Sequence, residues 1–341
     1  MFGARQTGKT TIIRNSLPED AVVVDLSNPE IRSRHLSNPG EFIGICRAFP
    51  KTETPRHVFV DEVQTVPSIF DSVQHLFDGD KTRWRFILCG SSARKLRKSG
   101  TNLLPGRSIL HRLYPLVMAE LPAAEKFNSG IASPLPIKWS DDEPHPGRFP
   151  PCDLETRLAY GALPGIVTAA EEVRADLLRT YATVHLEEEI RRETLIRDIG
   201  AFLRFLEMAA TESGNVVNYA SISKESGVSM PTVKSYYQLL EDMFIGMHIP
   251  AYSGSKRKNV LSTPKFMFFD LGIRNAAAGL KISKDVVAAN PGPLFEQWVG
   301  IELFNRIQYL GEGSLHYQRT RDGAEIDYII EREGRLTPIE V

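Results

Sequence analysis

The most informative stretch of this sequence lies at residues 3–10. It reads Gly3-Ala4-Arg5-Gln6-Thr7-Gly8-Lys9-Thr10 and matches the pattern G-x-x-x-x-G-K-[ST]. Such a turn points backbone N–H groups at phosphate oxygens, and the following helix N-terminus adds its positive dipole end. We therefore predict a nucleotide site in which Lys9 reaches the β- and γ-phosphates and the Thr10 hydroxyl ligates Mg²⁺. The residues expected to hold the nucleotide here are Gly3, Gln6, Thr7, Gly8, Lys9, Thr10 and Thr11.

The position of this loop in the chain is unusual. Such a loop normally follows a buried strand, yet only Met1 and Phe2 precede it. Either that strand is missing from the chain or the match is accidental. Accidental matches are expected in roughly 1% of chains of this length, so a second signal is needed.

That second signal is the run Val58-Phe59-Val60-Asp61-Glu62. A short apolar run that ends in two carboxylates is typical of a buried parallel strand delivering acids to its C-terminal edge. We predict that Asp61 holds Mg²⁺ and that Glu62 polarises the attacking water as a catalytic residue. The alternative is a strand that simply runs into an acidic turn.

Further apolar runs predict the rest of an α/β domain. Residues 22–26 and 86–89 read as strands, and apolar residues between positions 67 and 77 have helical spacing. Strands that alternate with helices favour a parallel sheet. The predicted fold class is therefore α/β with a parallel sheet in the N-terminal part.

Composition limits the function classes. The 341 residues include 41 basic and 42 acidic side chains, so a globally basic nucleic-acid binder is excluded. The three cysteines have no metal-ligand spacing, which fits a reducing cytosol. No apolar run approaches 18 residues and no signal peptide opens the chain. We expect a soluble cytoplasmic protein without a membrane partner.

Changes in composition divide the sequence into five predicted segments. A nucleotide domain lacking its first strand is followed by a Pro-rich linker, a helical lid, a winged helix and an α+β domain truncated at its C-terminus. Their bounds are 1–125, 126–151, 152–212, 213–265 and 266–341.

The winged helix is predicted from a helix, Gly227, a second helix capped by Ser229, and a hairpin with a basic tip. Lys234 and the tip residues 256–258 could meet DNA phosphates. The alternative is a packing module whose basic tip is ordinary solvated surface. The second helix has no Arg, the residue most used to contact guanine, which argues against the reading of specific bases.

Three acids in the last segment resemble a metal-dependent nuclease site. Glu296 lies on a predicted helix, and Asp327 and Glu340 lie on predicted strands, as in the restriction-endonuclease-like motif Glu-…-Asp-…-Glu-x-Lys. The chain ends at Val341, one residue before the lysine of that motif. The alternative is a half-exposed hairpin that alternates polar and apolar residues.

The chain as a whole resembles the bacterial and archaeal predicted AAA-type ATPases, which pair a phosphate-loop domain with a C-terminal domain of unknown function. The resemblance is carried by GARQTGKTT (3–11), VFVDEVQ (58–64), LCGSSARKL (88–96), LPGRSILHRLYPLVMAEL (104–121), YGALPGIV (160–167), PKFMFFDLGIRNA (264–276), GPLFEQWVGIEL (292–303) and YQRTRDGAEIDYIIE (317–331).

The resemblance implies ATP and Mg²⁺ as ligands, ATP hydrolysis as the activity and a restriction-endonuclease-like fold at the C-terminus. It also implies that Ser91 or Ser92 senses the γ-phosphate, of which we choose Ser91, and that Arg107 contacts the γ-phosphate or bridges subunits. Two other function classes remain open: a nucleotide-gated DNA binder without turnover, and a nuclease at Glu296, Asp327 and Glu340. DNA and further copies of the chain are the macromolecular partners considered.

Overall fold

The computed structural model describes residues 1–92, 108–121, 149–192, 196, 198–252, 263–289, 291–319 and 324–341. Their contacts divide the chain into two compact units. The first comprises Met1–Leu113 with Asp242–Phe244, and the second comprises Tyr114–Glu241 with Ile245–Val341. Most of the predicted linker lies outside the described residues.

The first unit is built on a parallel sheet in the order β1-β2-β3, as the sequence predicts. Val22 pairs with Val58 and Asp25 with Asp61, while Arg56 pairs with Trp84 on the other side of β2. Because the strands are parallel, their carboxyl ends meet at one edge. The elements are α1 (Lys9–Ser16), β1 (Val22–Asp25), α2 (Pro29–Ser37), α3 (Glu41–Ala48), β2 (Arg56–Asp61), α4 (Ser68–Gly79) and β3 (Trp84–Leu88).

Phe2 extends this sheet beyond β3. It forms parallel bridges with both Gly90 and Arg112. Its N–H donates to the His111 carbonyl at 2.9 Å, and the Leu113 N–H donates to the Phe2 carbonyl at 2.8 Å. Phe2 thus lies in the place where a strand leading into the phosphate loop would lie.

The core of the first unit explains why its strands read as apolar runs. Val58, Phe59 and Val60 are fully buried because both faces of β2 are covered. On one side, α4 contributes the apolar face that its helical spacing predicts. That face consists of Ile69, Phe70, Val73 and Leu76.

The second unit begins with helices. Its third and fourth helices are separated from each other only by a π-helical turn, Tyr181–His185. The helices are α5 (Leu154–Tyr160), α6 (Pro164–Val167), α7 (Glu171–Thr180), α8 (Leu186–Arg192), α9 (Ile199–Thr211), α10 (Tyr219–Ser226) and α11 (Met230–Asp242). The π-helical turn lies between α7 and α8.

An antiparallel strand pair follows α11. β4 (Gly246–Ile249) and β5 (Lys265–Phe268) pair with Gly246 opposite Phe268. Between α10 and α11, Gly227 has a φ of +76°, a left-handed conformation that favours glycine. This is the element order predicted for a winged helix, and that interpretation stays a prediction because the hairpin tip falls outside the described residues.

The C-terminal part combines helices with a small antiparallel sheet, in agreement with the predicted α+β composition. It contains α12 (Leu271–Ala277), α13 (Lys284–Ala289), α14 (Pro291–Leu310), β6 (Ser314–Arg319), β7 (Glu325–Arg332) and β8 (Arg335–Ile339). The sheet order is β6-β7-β8, and both pairs are antiparallel. The restriction-endonuclease-like fold stays a prediction.

None of the described helices combines the length and the apolar character that crossing a bilayer requires.

Candidate nucleotide site

The loop between Phe2 and α1 has the backbone geometry of a phosphate cradle. Gln6 and Gly8 have φ values of +62° and +91°, left-handed conformations of the kind found in backbone turns that bind anions. Gly3 is fixed by space, because a Cβ there would lie 2.2 Å from the Leu113 carbonyl oxygen. Thr7 is buried and its hydroxyl donates to the Ala4 carbonyl at 2.9 Å, which closes the turn.

Lys9 begins α1 and is only 7% exposed. Its ammonium group donates to the Ala4 carbonyl at 2.6 Å, on the loop itself. A buried ammonium group needs hydrogen-bond acceptors, and phosphate oxygens could take over this role. The next residues differ in exposure: Thr10 is half-buried, whereas Thr11 is exposed.

The two predicted Mg²⁺ ligands are brought together. The Thr10 hydroxyl donates to Oδ2 of Asp61 at 2.8 Å, although 51 residues separate them. Oδ1 of Asp61 accepts from the Glu62 N–H at 3.0 Å, and Asp61 is 5% exposed. This pair therefore offers oxygen donors from a hydroxyl and a carboxylate at the carboxyl edge of β2.

Glu62 follows Asp61 in a strained conformation. Its φ of +54° is left-handed, which is uncommon for a residue with a side chain and recurs at functional sites. Its carboxylate accepts a hydrogen bond from the Gln64 amide nitrogen. The same nitrogen donates to the Ser91 hydroxyl at 3.1 Å, and both Gln64 and Ser91 are buried. The predicted base and the predicted γ-phosphate sensor thus share one partner.

Cys89 lies directly beneath this edge and is fully buried. Burial, and then the negative charge of Asp61, raises the pKa of its thiol to about 12. The thiol is therefore neutral at physiological pH and is not a nucleophile here. The predicted arginine, Arg107, lies outside the described residues.

The three predicted nuclease acids have different surroundings. Glu296 on α14 forms an ion pair with Lys265 at 3.0 Å. Asp327 accepts from the Val341 N–H at 2.9 Å, and Glu340 is exposed after β8. Among the residues with described placement, no group of three or more His, Cys, Asp or Glu side chains is arranged to hold a metal ion.

Lys265 supplies the positive charge in that region. Its side chain is 4% exposed, and its ammonium group lies 3.0 Å from Glu296 and 2.9 Å from Glu325. It also lies over the rings of Tyr317 and Tyr328, at 5.3 and 5.8 Å from their centroids. Burial alone would lower the pKa of Lys265, but Glu325 and Glu296 outweigh burial and raise it.

The predicted DNA contacts are placed only in part. Lys234 on α11 has its ammonium group 5.2 Å from the centroid of the Tyr219 ring. The basic tip at residues 256–258 lies outside the described residues. α11 instead packs its inner face on aromatic rings, with Tyr237 at 5.0 Å from Phe205 and 4.6 Å from Phe266 between centroids.

Two residues of these sites were not selected from the sequence. Gln64 had a signal, because it closes the stretch VFVDEVQ (58–64), two positions after Glu62. Lys265 had none, since a single lysine before an apolar run is usually exposed.

Three parts of the chain match known family models. Residues 1–122 match an AAA domain, residues 152–284 match the domain of unknown function DUF8612, and residues 291–341 match the domain of unknown function DUF4143. The AAA match covers every residue of the candidate nucleotide site.

Similar curated proteins come from both bacteria and archaea. An uncharacterized protein of Mycobacterium tuberculosis is 24% identical over 345 residues, which span 100% of this chain and 69% of that protein. One from Haemophilus influenzae is 23% identical, over 99% of this chain and 80% of its own length. One from Methanocaldococcus jannaschii is 22% identical, over 98% and 72%. The chain is thus similar along nearly its whole length to uncharacterized bacterial and archaeal proteins, and its N-terminal part matches an AAA domain.

Proposed function

We propose that residues 1–122 bind ATP together with Mg²⁺ and hydrolyse the ATP to ADP and phosphate. The observation that carries this proposal is the hydrogen bond between Thr10 and Asp61. It joins the end of the phosphate loop to the acidic end of β2, where Lys9 and Glu62 also lie. The match of this segment to an AAA domain supports ATP as the nucleotide.

The donor set fits Mg²⁺, since this ion prefers oxygen ligands and keeps several waters. The Thr10 hydroxyl and the Asp61 carboxylate would hold it, directly or through water. When bound, Mg²⁺ neutralises charge on the phosphate oxygens.

The protein groups then have separate tasks. The loop N–H groups and Lys9 bind the phosphates, with the Lys9 ammonium group exchanging the Ala4 carbonyl for phosphate oxygens. Glu62 orients a water molecule and accepts its proton. The water oxygen forms a bond to the γ-phosphorus while the bond to the β,γ-bridging oxygen breaks, giving ADP and phosphate.

The first test is the binding of labelled ATP, with and without Mg²⁺, to Lys9→Ala. Loss of a charge-assisted contact predicts affinity lower by about 10- to 100-fold. Lys81→Ala is the matched control, because Lys81 is an exposed lysine of the same unit. If a folded Lys9→Ala protein binds ATP as well as the control does, the proposal is wrong.

The second test separates binding from hydrolysis. Glu62→Gln removes the proton acceptor but keeps the size of the side chain and much of its hydrogen bonding. We expect ATP binding to persist and phosphate release to slow by about 100-fold or more. Undiminished phosphate release by Glu62→Gln would remove Glu62 from the catalytic role.

A further inference from the structure

Gln64 occupies an unusual position next to the proposed catalytic group. It lies in the 3₁₀ turn Val63–Thr65 that directly follows Glu62, and it is 6% exposed. An amide nitrogen carries two N–H donors. In this structure one donor serves the Glu62 carboxylate and the other serves the Ser91 hydroxyl, at 3.1 Å.

The surroundings fix which way the amide points. If the amide were reversed, its carbonyl oxygen would face the Glu62 carboxylate, and two acceptors would meet. In the observed orientation, the buried Oε1 atom of Gln64 has no hydrogen-bond partner among the described residues. Both amide donors are used within the described residues, so the two donated hydrogen bonds set the orientation of this side chain.

The turn is also held to the tip of β3. The Val63 N–H donates to the Cys89 carbonyl at 2.9 Å. A Cβ at position 90 would lie 2.3 Å from Oε1 of Gln64, so Gly90 leaves the space that the amide fills. Gln64 is therefore packed between the two ends of β2 and β3 that carry Glu62 and Ser91.

We propose that Gln64 is a positioning residue for ATP hydrolysis, which holds the Glu62 carboxylate at a fixed position relative to the Ser91 hydroxyl. This inference rests on the proposed function. In the part of the chain that the structure describes, the Gln64 amide donates to Glu62 and Ser91 and to no residue of the phosphate loop. Its loss should therefore affect the placement of the attacking water and leave the binding of ATP intact.

The test uses Gln64→Met in the full chain. Methionine keeps an unbranched side chain of similar length but donates no hydrogen bond. The matched control is Gln74→Met, a partly buried glutamine on α4 of the same unit. Three quantities are measured for each protein with Mg²⁺: the Kd of a non-hydrolysable ATP analogue, the Kd of ADP with aluminium fluoride, and kcat.

For Gln64→Met we expect the Kd of the ATP analogue to stay within about twofold of wild type. We expect kcat to fall by about 10- to 100-fold, as loss of a hydrogen bond to a charged group predicts. Affinity for ADP with aluminium fluoride, which resembles the transition state, should fall in parallel. Ser91→Ala should cost less in the Gln64→Met protein than in wild type, because the two side chains act through one amide.

Gln64→Asn is the second variant, for use if Gln64→Met fails to fold. It keeps the amide but is too short to reach both partners, so the same pattern is expected. A kcat equal to that of Gln74→Met, or equal losses in analogue binding and kcat, overturns the inference while ATP hydrolysis by wild type stands. If wild type neither binds nor hydrolyses ATP, the proposed function fails first and the inference fails with it.

Discussion

Lys265 offers the sharpest test of the energetics of the second unit. The substitution is Lys265→Met, which keeps a long side chain but removes the charge between Glu296 and Glu325. Breaking a fully buried ion pair costs about 3–5 kcal/mol, because the remaining charge is left without a partner. The Glu296 and Glu325 side chains are 31% and 32% exposed, so water can compensate in part. We therefore expect a loss of about 2–4 kcal/mol in the free energy of unfolding.

Differential scanning calorimetry can measure this loss. For a unit of this size, it corresponds to a Tm lower by about 4–16 °C. Lys284→Met is the matched control, because Lys284 pairs with Asp153 at 3.3 Å with both side chains more exposed. That control should change stability by less than about 1 kcal/mol.

The pH dependence provides a second readout of the same contact. Because the pKa of Lys265 is raised in the folded protein, its contribution is fully present below the unfolded value of about 10.4 and is lost as pH rises through the folded value. Adding Glu296→Gln and Glu325→Gln to Lys265→Met should restore part of the stability, since no carboxylate is then left unpaired. A Lys265→Met protein that melts at or above the wild-type temperature would refute this reasoning.

Two further predictions concern backbone space and a buried acid. Gly3→Ala should destabilise the first unit by about 1–3 kcal/mol and weaken ATP binding, because the new Cβ would meet the Leu113 carbonyl oxygen at 2.2 Å; denaturant unfolding and nucleotide titration measure the two effects. Burial raises the pKa of Asp270 from 3.8 to about 6, so its carboxyl group favours the folded state when protonated. Stability should therefore fall as pH rises from about 4 to about 6, by on the order of 3 kcal/mol from this group. Asp270→Asn should lose that pH dependence in urea unfolding, and an unchanged profile would contradict the assignment.

The contact between Thr10 and Asp61 could be anticipated from the sequence because both belong to short local patterns. Each pattern fixes its own element, and parallel pairing then brings the ends of those elements together. The parallel sheet could also be predicted from the sequence, since strands that are buried on both faces have continuous apolar runs such as Val58-Phe59-Val60.

The partners of Gln64 and Lys265 could not be anticipated in this way. Gln64 reaches Ser91 across 27 positions, and Lys265 reaches Glu296 across 31. Such pairs depend on how separate elements pack, and no local periodicity encodes that packing. The prediction that grouped Glu296 with Asp327 relied on motif order, whereas the ion pair of Glu296 is formed with Lys265, which the motif does not include.

The pairing of Phe2 with Gly90 and Arg112 has a consequence for how this protein tolerates mutation. The hydrogen bonds that hold Phe2 in the sheet come from peptide groups, so most side chains at this position would preserve them. The Phe2 ring is constrained by packing instead, because Phe2 is 6% exposed and belongs to the apolar core. The substitutions tolerated at position 2 should therefore be limited by side-chain volume and hydrophobicity. The backbone hydrogen bonds that attach the phosphate loop to the sheet should be retained in such variants.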